Sequence, residues 1–327
     1  MRDTRPPHMP PRFTPSWWLT PAHLQTVYGS LFARVPKVSF RRERWDTPDG
    51  DFVDVDFVDG PANAPWVHLF HGLEGSSDSR YARNLMAHAT ALGWRGSVLH
   101  FRGCSGEMNR LPRAYHSGDS TEVDWVLRRL RERAGPTPLH AAGVSLGGNA
   151  LAKWLGERGE EACAIVDRAA VVSAPLDLMA AGNALEQGFS MMYTKHFLAT
   201  LKKTALAKLD RFPEIYDRDR VRASKTLRDF DNVVTAPLHG FRDTDDYWTR
   251  ASSKPWLKAI RVPTLIINAR DDPFLPDVAL PTAAEVSPAV TLEFSDRGGH
   301  VGFVSGPFPG NIDWLPRRVL HFFEHRE

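Results

Sequence analysis

The chain has 327 residues, of which 42% are apolar and 24% charged, a composition typical of a folded globular protein rather than a disordered or fibrous one. Its 41 Lys and Arg residues nearly balance its 39 Asp and Glu residues, which argues against nucleic acid or an anionic membrane as the main partner. Two cysteines, Cys104 and Cys163, are too few for a disulfide framework or a thiolate metal site, and they fit a reducing compartment.

Neither a targeting signal nor a membrane span is evident in the sequence. Residues 1–18 contain five prolines and no apolar run of the length that a secretory signal needs. Nowhere do about 18 apolar residues follow one another, as a membrane-spanning helix requires. We therefore expect a cytoplasmic protein without stable membrane insertion.

Strand-length runs of β-branched and aromatic residues alternate with helical patterns along most of the chain. The first two strands flank a turn at residues 47–50 and predict an antiparallel hairpin. The later alternation predicts an α/β fold in which helices flank a mostly parallel sheet. The predicted strands are 38–45, 52–58, 66–70, 97–101, 139–143, 169–173, 264–268 and 290–294, and the predicted helices outside the longest gap are 80–92, 119–133, 146–157 and 314–324.

The alternation breaks over the 89 residues from 174 to 262, which lie between two predicted strands. A crossover between parallel strands needs only about a dozen residues, and helical patterns cover 193–209 and 221–230. We interpret residues 174–262 as an inserted helical cap. The core then comprises residues 1–173 and 263–327, with residues 1–35 as an N-terminal extension.

Apolar residues near the start of the predicted cap have two interpretations. Met191, Met192, Tyr193 and Phe197 could line a lipophilic substrate pocket. Alternatively, they pack between cap and core, as apolar residues commonly do.

The strongest local signal is Gly143-Val-Ser145-Leu-Gly147, a G-x-S-x-G pattern between a predicted strand and a predicted helix. A nucleophile on such a sharp turn needs small residues two places on either side, and Gly143 and Gly147 meet that need. Glycine and serine also form ordinary turns, so it is the strand-turn-helix context that makes Ser145 the candidate nucleophile.

A serine nucleophile needs a base, which is itself oriented by an acid, and in this context the order along the chain is Ser, Asp or Glu, His. Asp271 and Asp272 follow the predicted strand 264–268, where a strand end would deliver the acid. Both carboxylates are candidates, and an ordinary Asp-Pro turn is the alternative.

The candidate base is His300, which lies late in the chain in Gly298-Gly-His-Val-Gly302. Its flanking glycines allow the backbone to pass close to Ser145 and the imidazole to project into a cleft. A core histidine would more often sit inside an apolar element, which distinguishes His300 among the 13 histidines.

Donors for a developing oxyanion are expected after the predicted strand 66–70, in the turn His71-Gly-Leu73-Glu-Gly75. We assign the oxyanion hole to the backbone amides of Leu73 and Leu146. His71 could serve as a second base, but a structural role fits this position better.

Further motifs complete a family pattern: Trp17-Trp18, His23-Leu-Gln-Thr26, Asp49-Gly-Asp51, Phe101-Arg-Gly-Cys-Ser-Gly106, Arg113-Ala-Tyr-His-Ser-Gly118 and Gly298-Gly-His-Val-Gly-Phe303. With the serine and aspartate motifs, the chain resembles the α/β hydrolases of the YheT type, among the abhydrolase medium-chain esterases, over nearly its whole length. The resemblance implies an α/β-hydrolase fold and a serine carboxylesterase acting on short or medium acyl chains, with the triad Ser145, Asp272 and His300. In related hydrolases the acid commonly stands four residues before the second proline of its loop, which favours Asp272 over Asp271.

Other motifs give no comparable signal. The terminal His321-Phe-Phe-Glu-His325 matches a zinc-protease pattern, but two ligands are too few, and a frayed terminal helix fits better. Neither the dinucleotide-binding motif G-x-G-x-x-G nor the P-loop motif G-x-x-x-x-G-K-[ST] occurs in the sequence. We therefore predict no cofactor, and no metal. His116 is interpreted as structural, and a solvated helix face fits the cap lysines better than contact with anionic lipid; these are Lys195, Lys202, Lys203 and Lys208.

The leading hypothesis is a cofactor-free serine esterase whose partner is a small-molecule acyl ester and whose acyl-enzyme is hydrolysed by water. An acyltransferase would pass the same acyl group to another alcohol, and a non-catalytic small-molecule receptor would keep only the scaffold. No nucleic-acid partner is expected. Acyl chain length and oligomeric state do not follow from the sequence.

Overall fold

A computed structural model describes residues 10–325, and an eight-stranded sheet lies at its centre. The strands are β1 (Arg41–Asp46), β2 (Phe52–Val58), β3 (Trp66–Phe70), β4 (Arg95–His100), β5 (Leu139–Val144), β6 (Arg168–Val172), β7 (Thr264–Ala269) and β8 (Val290–Ser295). They are ordered β1-β2-β4-β3-β5-β6-β7-β8. The pairs from β4 to β8 are parallel, whereas β1 and β2 are antiparallel to their neighbours. This topology confirms the predicted α/β fold and its mostly parallel sheet.

The predicted hairpin joins β1 and β2 at the edge of the sheet. Its register pairs Asp46 with Phe52, and the Thr47 amide donates to the Asp51 carbonyl at 3.0 Å. Gly50 in the turn has φ +84°, a left-handed conformation that is favourable without a Cβ. The turn residues therefore explain why the chain reverses here.

Helices cover both faces of the sheet and bury two apolar cores. Phe70, Leu127 and Trp154 belong to the core that includes α3 and α4, whereas Met86 and Phe322 belong to the core that includes α2 and α11. In residues 10–325, no helix has both the length and the apolar character needed to cross a bilayer. The helices are α1 (Ala22–Leu31), α2 (Arg80–Ala91), α3 (Ser120–Ala134), α4 (Leu146–Arg158), α5 (Leu178–Leu185), α6 (Met191–Leu209), α7 (Arg218–Ala223), α8 (Leu227–Phe230), α9 (Ala236–Leu238), α10 (Thr244–Ala251) and α11 (Trp314–Glu324).

Helices α5 to α10 occupy the long connection between β6 and β7. The single helix predicted at 221–230 is wrong, because α7 ends at Ala223 and α8 starts after Thr226. The Thr226 hydroxyl accepts the Asp229 amide at 3.0 Å, and the Asp229 carboxylate accepts the Thr226 amide at 3.1 Å. This reciprocal capping favours a new helix start over a continuous helix. The predicted boundaries of core and cap stay a prediction.

The N-terminal segment packs against the C-terminal part of the chain. The Ser16 amide donates to the Val304 carbonyl at 3.0 Å, and the Trp314 indole donates to the Pro11 carbonyl at 2.9 Å. These contacts join residues nearly 300 positions apart and bring α1 beside the strand ends of the sheet. The first nine residues of the predicted extension lie outside the described residues.

Candidate active site

Ser145 occupies the sharp turn between β5 and α4, with φ +52° and ψ −122°. A Cβ on Gly143 would lie 2.6 Å from the Gly147 carbonyl oxygen, and a Cβ on Gly147 would lie 2.5 Å from the Phe70 carbonyl oxygen. Real side chains do not tolerate such distances from backbone. Glycines are therefore required on both sides of Ser145, as the strained turn demands.

A chain of two hydrogen bonds connects Ser145, His300 and Asp272. The Ser145 Oγ lies 3.0 Å from His300 Nε2, and His300 Nδ1 lies 2.9 Å from Asp272 Oδ2. Because a carboxylate only accepts hydrogen bonds, Nδ1 carries the imidazole proton and Nε2 accepts from the serine hydroxyl. The Asp272 side chain is fully buried, and that of His300 is 10% exposed. This geometry suits proton transfer from the serine to the imidazole.

The two adjacent carboxylates after β7 make different contacts. Asp272 accepts from the imidazole of His300 and, through Oδ1, from the Phe274 amide at 2.9 Å. Asp271 accepts the Gly299 amide at 2.9 Å, and burial raises the pKa of its carboxyl. Asp272 thus contacts the imidazole itself, whereas Asp271 holds the loop that carries it.

Two residues to which the sequence assigned no role at the site support His300. The Thr26 hydroxyl, on α1, accepts the His300 amide at 2.8 Å. The Phe274 ring stacks on the imidazole with centroids 4.0 Å apart. A Cβ on Gly299 would lie 2.6 Å from the Ala22 carbonyl oxygen, so the loop and α1 are in direct backbone contact. No sequence pattern identified these contacts, because the partners lie far apart along the chain.

Leu73 and Leu146 line the same cavity as Ser145. Leu146 follows Ser145 at the start of α4, and a Cβ on Gly72 would lie 3.1 Å from the Ser145 Cβ. Within residues 10–325, neither the Leu73 nor the Leu146 amide donates to a protein acceptor. Both donors are therefore available to an oxygen bound at Ser145.

Two tyrosines hold the turn that contains Leu73. The Tyr81 hydroxyl accepts the Gly72 amide at 2.9 Å, and the Tyr115 hydroxyl accepts the Glu74 amide at 2.9 Å. Tyr115 also donates to the Glu74 carboxylate at 2.7 Å, and Glu74 has φ +55°, an uncommon conformation for a residue with a side chain. The amides on both sides of Leu73 are thus occupied, and its own amide is left free.

His71 takes part in backbone hydrogen bonds and not in proton transfer to Ser145. Its Nδ1 donates to the Gly72 carbonyl at 2.7 Å, and its Nε2 accepts the Phe101 amide at 3.2 Å. Burial lowers the pKa of His71 to about 3, so the ring is neutral at physiological pH. These contacts favour the structural role over a second base.

A cavity of about 160 Å³ opens beside Ser145 and His300 and extends between the sheet and helices α5 to α10. Its walls are predominantly apolar, as is typical of small-molecule sites. One helix face, on α6, supplies Phe197, Leu201 and Ala205 at intervals of four residues. The cavity can therefore receive an apolar group attached to a carbonyl at Ser145.

Among the four predicted pocket residues, the cavity wall includes Phe197 but not Met191, Met192 or Tyr193. The last three lie on the first turn of α6, beyond the end of the cavity. Met192 is 58% exposed, because five positions before Phe197 correspond to roughly 140° of rotation around the helix. Tyr193 instead packs on Phe274, with ring centroids 4.7 Å apart.

Comparisons with known proteins support this architecture. Residues 65–307 match the family described as having the alpha/beta hydrolase fold. The chain belongs to the α/β hydrolase family. It is 41% identical to the Escherichia coli candidate esterase YheT, with 94% of this chain and 91% of that protein covered. It is 30% identical to mouse phospholipase ABHD3, with 95% and 78% covered.

A solved structure of the Pyrococcus furiosus esterase Pf2001 shares the fold. Its TM-score is 0.56 at 14% identity, with 89% of this chain and 96% of that chain covered. The predicted resemblance to the YheT-type α/β hydrolases is confirmed. The relatives are named as an esterase and a phospholipase, which supports the predicted enzyme class, a carboxylic ester hydrolase.

The cavity wall of this hydrolase includes four charged residues, Glu74, Arg102, Lys208 and Asp231, and burial shifts the pKa of the last two. The Lys208 ammonium donates to the carbonyls of Leu111, Pro112 and Arg113, and burial lowers the pKa of this lysine to about 8. Asp231 lies in a π-helical turn, and burial raises its pKa to about 6. The Lys208 contacts join α6 to the segment leading to Tyr115.

Asp231 has two hydrogen-bond donors of its own. The Thr235 hydroxyl donates to Oδ1 at 2.6 Å, and the Trp248 indole donates to Oδ2 at 2.9 Å. Neither Asp231 nor Trp248 was predicted from the sequence, since a lone acid in a helical pattern usually faces solvent.

Histidines at the C-terminus do not form a metal site. The His325 Nδ1 donates to the His321 carbonyl at 3.1 Å, as a helix-end contact of α11. In the described part of the chain, no group of three His, Cys, Asp or Glu side chains could hold a metal ion.

Proposed function

We propose that this hydrolase is a serine carboxylesterase that cleaves acyl esters through a covalent acyl-enzyme. The observation that carries the proposal is the continuous hydrogen-bond chain from Ser145 through His300 to Asp272. We assign these three residues the roles of nucleophile, general base and orienting acid.

In the first half-reaction, Ser145 Oγ attacks the ester carbonyl while His300 Nε2 takes the hydroxyl proton. The resulting tetrahedral intermediate collapses, the C–O bond to the alcohol breaks, and His300 returns the proton to the departing alkoxide. A water molecule then attacks the acyl-enzyme with His300 again as base, and this step releases the acid and regenerates Ser145.

Negative charge develops on the carbonyl oxygen during the attack. We assign its stabilisation to hydrogen bonds from the backbone amides of Leu73 and Leu146. Their freedom from protein acceptors supports this role, since each donor then has its full capacity available in the transition state. Loss of one such donor in other hydrolases costs about 3 kcal/mol of transition-state stabilisation.

The volume of the cavity supports short or medium acyl chains as substrates. An apolar cavity of about 150 Å³ admits a benzene-sized group, and the cavity beside Ser145 has about 160 Å³. We therefore expect kcat/KM for a series of p-nitrophenyl esters to rise with the first added methylenes and to fall once the chain exceeds the cavity.

Covalent labelling with a fluorophosphonate tests the nucleophile. We expect wild-type protein to be labelled and Ser145→Ala to remain unlabelled and inactive. Ser30→Ala, which removes an exposed hydroxyl on α1, serves as a matched control that keeps both labelling and activity. Labelling that persists in Ser145→Ala would assign the nucleophile to another residue.

Acyl transfer to an alcohol is the second candidate function. A yeast relative, 29% identical over 79% of this chain and 62% of its own length, is named medium-chain fatty acid ethyl ester synthase/esterase 2. If transfer is the main reaction, added ethanol will yield ethyl ester in place of free acid. A non-catalytic receptor has less support, because it would require no chain of hydrogen bonds at Ser145.

A further inference from the structure

Helix α1 has the reverse of the usual amphipathic arrangement. Its buried residues are Gln25, Thr26 and Gly29, whereas Leu24 and Leu31 are 52% and 59% exposed. A surface helix normally buries its apolar residues and exposes its polar ones. The outward side of α1 therefore presents apolar side chains to whatever lies above it.

These side chains belong to a larger exposed surface. Ring contacts run from Phe308 to Trp18 at 5.2 Å, from Trp18 to Tyr28 at 5.2 Å, and from Tyr28 to Phe32 at 5.9 Å. On the other side of α1, His23 contacts Phe189 at 4.6 Å, which brings in the start of α6. We call this surface the apolar face; its most exposed members are Trp17, Leu24, Phe32, Phe189, Met192 and Phe308.

The charged residues of the segments that form the apolar face are all positive. Residues 10–40, 187–209 and 298–312 supply the apolar face and contain seven Lys and Arg, of which only Lys208 is buried, but no Asp or Glu, although the whole chain carries only +2. Arg34, Lys37 and Lys195 are exposed and, within residues 10–325, pair with no carboxylate. Large apolar patches on monomeric proteins mark interaction sites, and a basic apolar surface is complementary to anionic lipid.

Although the overall charge balance and the sequence around Lys195 gave no support for contact with anionic lipid, the local charge and exposure do, and we propose that the apolar face docks this hydrolase on the surface of an anionic phospholipid bilayer. The exposed aromatic and leucine side chains enter the headgroup region, and Arg34, Lys37 and Lys195 lie over the anionic headgroups. This interaction is peripheral and requires no spanning segment. Membrane docking is separate from ester cleavage, and the proposal does not depend on the proposed function.

The position of the apolar face brings the candidate catalytic residues near the bilayer. Thr26, on the buried side of α1, holds the His300 amide, and Tyr193 connects Phe189 to Phe274, which stacks on His300. Docking would therefore place the triad beside the lipid surface, where acyl esters with low water solubility are concentrated.

Vesicle flotation tests the proposal directly. Full-length protein is mixed with vesicles of phosphatidylcholine alone or of phosphatidylcholine with phosphatidylglycerol, at low and at high salt. We expect binding to the anionic vesicles, weaker binding to the neutral ones, and a loss at high salt that reflects screening. Ser145→Ala should bind as the wild type does.

Matched variants separate the apolar and the electrostatic contributions. The triple variant Leu24→Ser, Phe32→Ser, Phe189→Ser should reduce partitioning at least about tenfold, whereas Leu92→Ser, at an exposed leucine on α2's C-terminal end, should not. Lys37→Gln with Lys195→Gln should reduce binding to anionic vesicles by about fivefold per lysine, unlike Lys225→Gln with Lys258→Gln.

Thermal melting establishes that each variant is folded, and hydrolysis of a water-soluble ester gives a second check for the variants that retain Ser145. Absence of wild-type binding to anionic vesicles, or equal binding by the triple variant, would overturn the proposal. It would also be overturned if the wild type were dimeric in analytical ultracentrifugation and the triple variant monomeric without a difference in vesicle binding, because the face would then bind a second copy.

Discussion

Replacement of Asp272 by asparagine tests the role proposed for this residue as the orienting acid. In the structure, Asp272 Oδ2 accepts the His300 Nδ1 proton at 2.9 Å, and Oδ1 accepts the Phe274 amide at 2.9 Å. The side chain in Asp272→Asn retains one acceptor oxygen. If that oxygen stays on the Phe274 amide, the new amide nitrogen faces the imidazole and acts as a donor.

The imidazole must then present an acceptor at Nδ1, and its proton moves to Nε2. A protonated Nε2 cannot accept the Ser145 hydroxyl proton, so the general base is lost while the geometry is retained. A change of this kind in a serine protease lowers kcat by about 10⁴-fold, equivalent to about 5.4 kcal/mol, and we expect a loss of that order here.

Asp271→Asn provides the matched control at the neighbouring position. The carbonyl oxygen of the substituted side chain can still accept the Gly299 amide, so at most one hydrogen bond of about 1 kcal/mol weakens, and kcat should fall less than about tenfold. Both variants are compared by kcat and KM for a p-nitrophenyl ester, with melting curves as the folding control. Equal losses, or a larger loss in Asp271→Asn, would refute the assignment of Asp272.

Three further predictions follow from other contacts. Tyr115→Phe leaves the Glu74 amide unpaired and loosens the turn that holds Leu73, so kcat should fall about tenfold with KM unchanged, as steady-state kinetics will reveal. Asp231 has a raised pKa of about 6, so the folded state binds its proton more tightly than the unfolded chain, and its contribution to stability is lost as pH rises through that pKa. Relative to wild type, Asp231→Asn should therefore melt at progressively higher temperature between pH 4 and pH 8. Gly147→Ala brings a Cβ to 2.5 Å from the Phe70 carbonyl oxygen and should lower the free energy of unfolding by about 3 kcal/mol in urea titration.

Much of the fold is predictable because the parallel strands are short, apolar and bounded by turn residues. The predicted strand 52–58 coincides with β2, and the predicted helix 314–324 coincides with α11. The failure at 221–230 has a local cause, since the polar cap at Thr226 starts a new helix within an apparently continuous pattern. Helix α1 was not predicted as an element, because its apolar residues do not mark a buried side.

Some residues of the candidate site were also predictable from local patterns, and others were not. Ser145 and His300 were proposed from glycine patterns, and their side chains are 3.0 Å apart although the residues are 155 positions apart in the chain. Which of the predicted pocket residues line the cavity depends on the side of α6 that faces the core. Of the four residues predicted, only Phe197 lines the cavity. Neither tyrosine at the Leu73 turn was assigned a role from the sequence, although Tyr115 lies within one of the family motifs, because each contact joins a hydroxyl to the backbone amide of another segment.

By itself the sequence determined the class of fold, and it pointed to the turn that presents Ser145 and to His300 as the candidate base, because strained turns and strand ends accept few residue types. Only the tertiary structure decided between Asp271 and Asp272 as the contact of His300, and it alone revealed the cavity wall and the outward apolar side of α1. The physical reason is that the direction of a side chain depends on packing between elements that are distant in the chain, and local residue patterns do not encode which of two neighbouring side chains that packing will select.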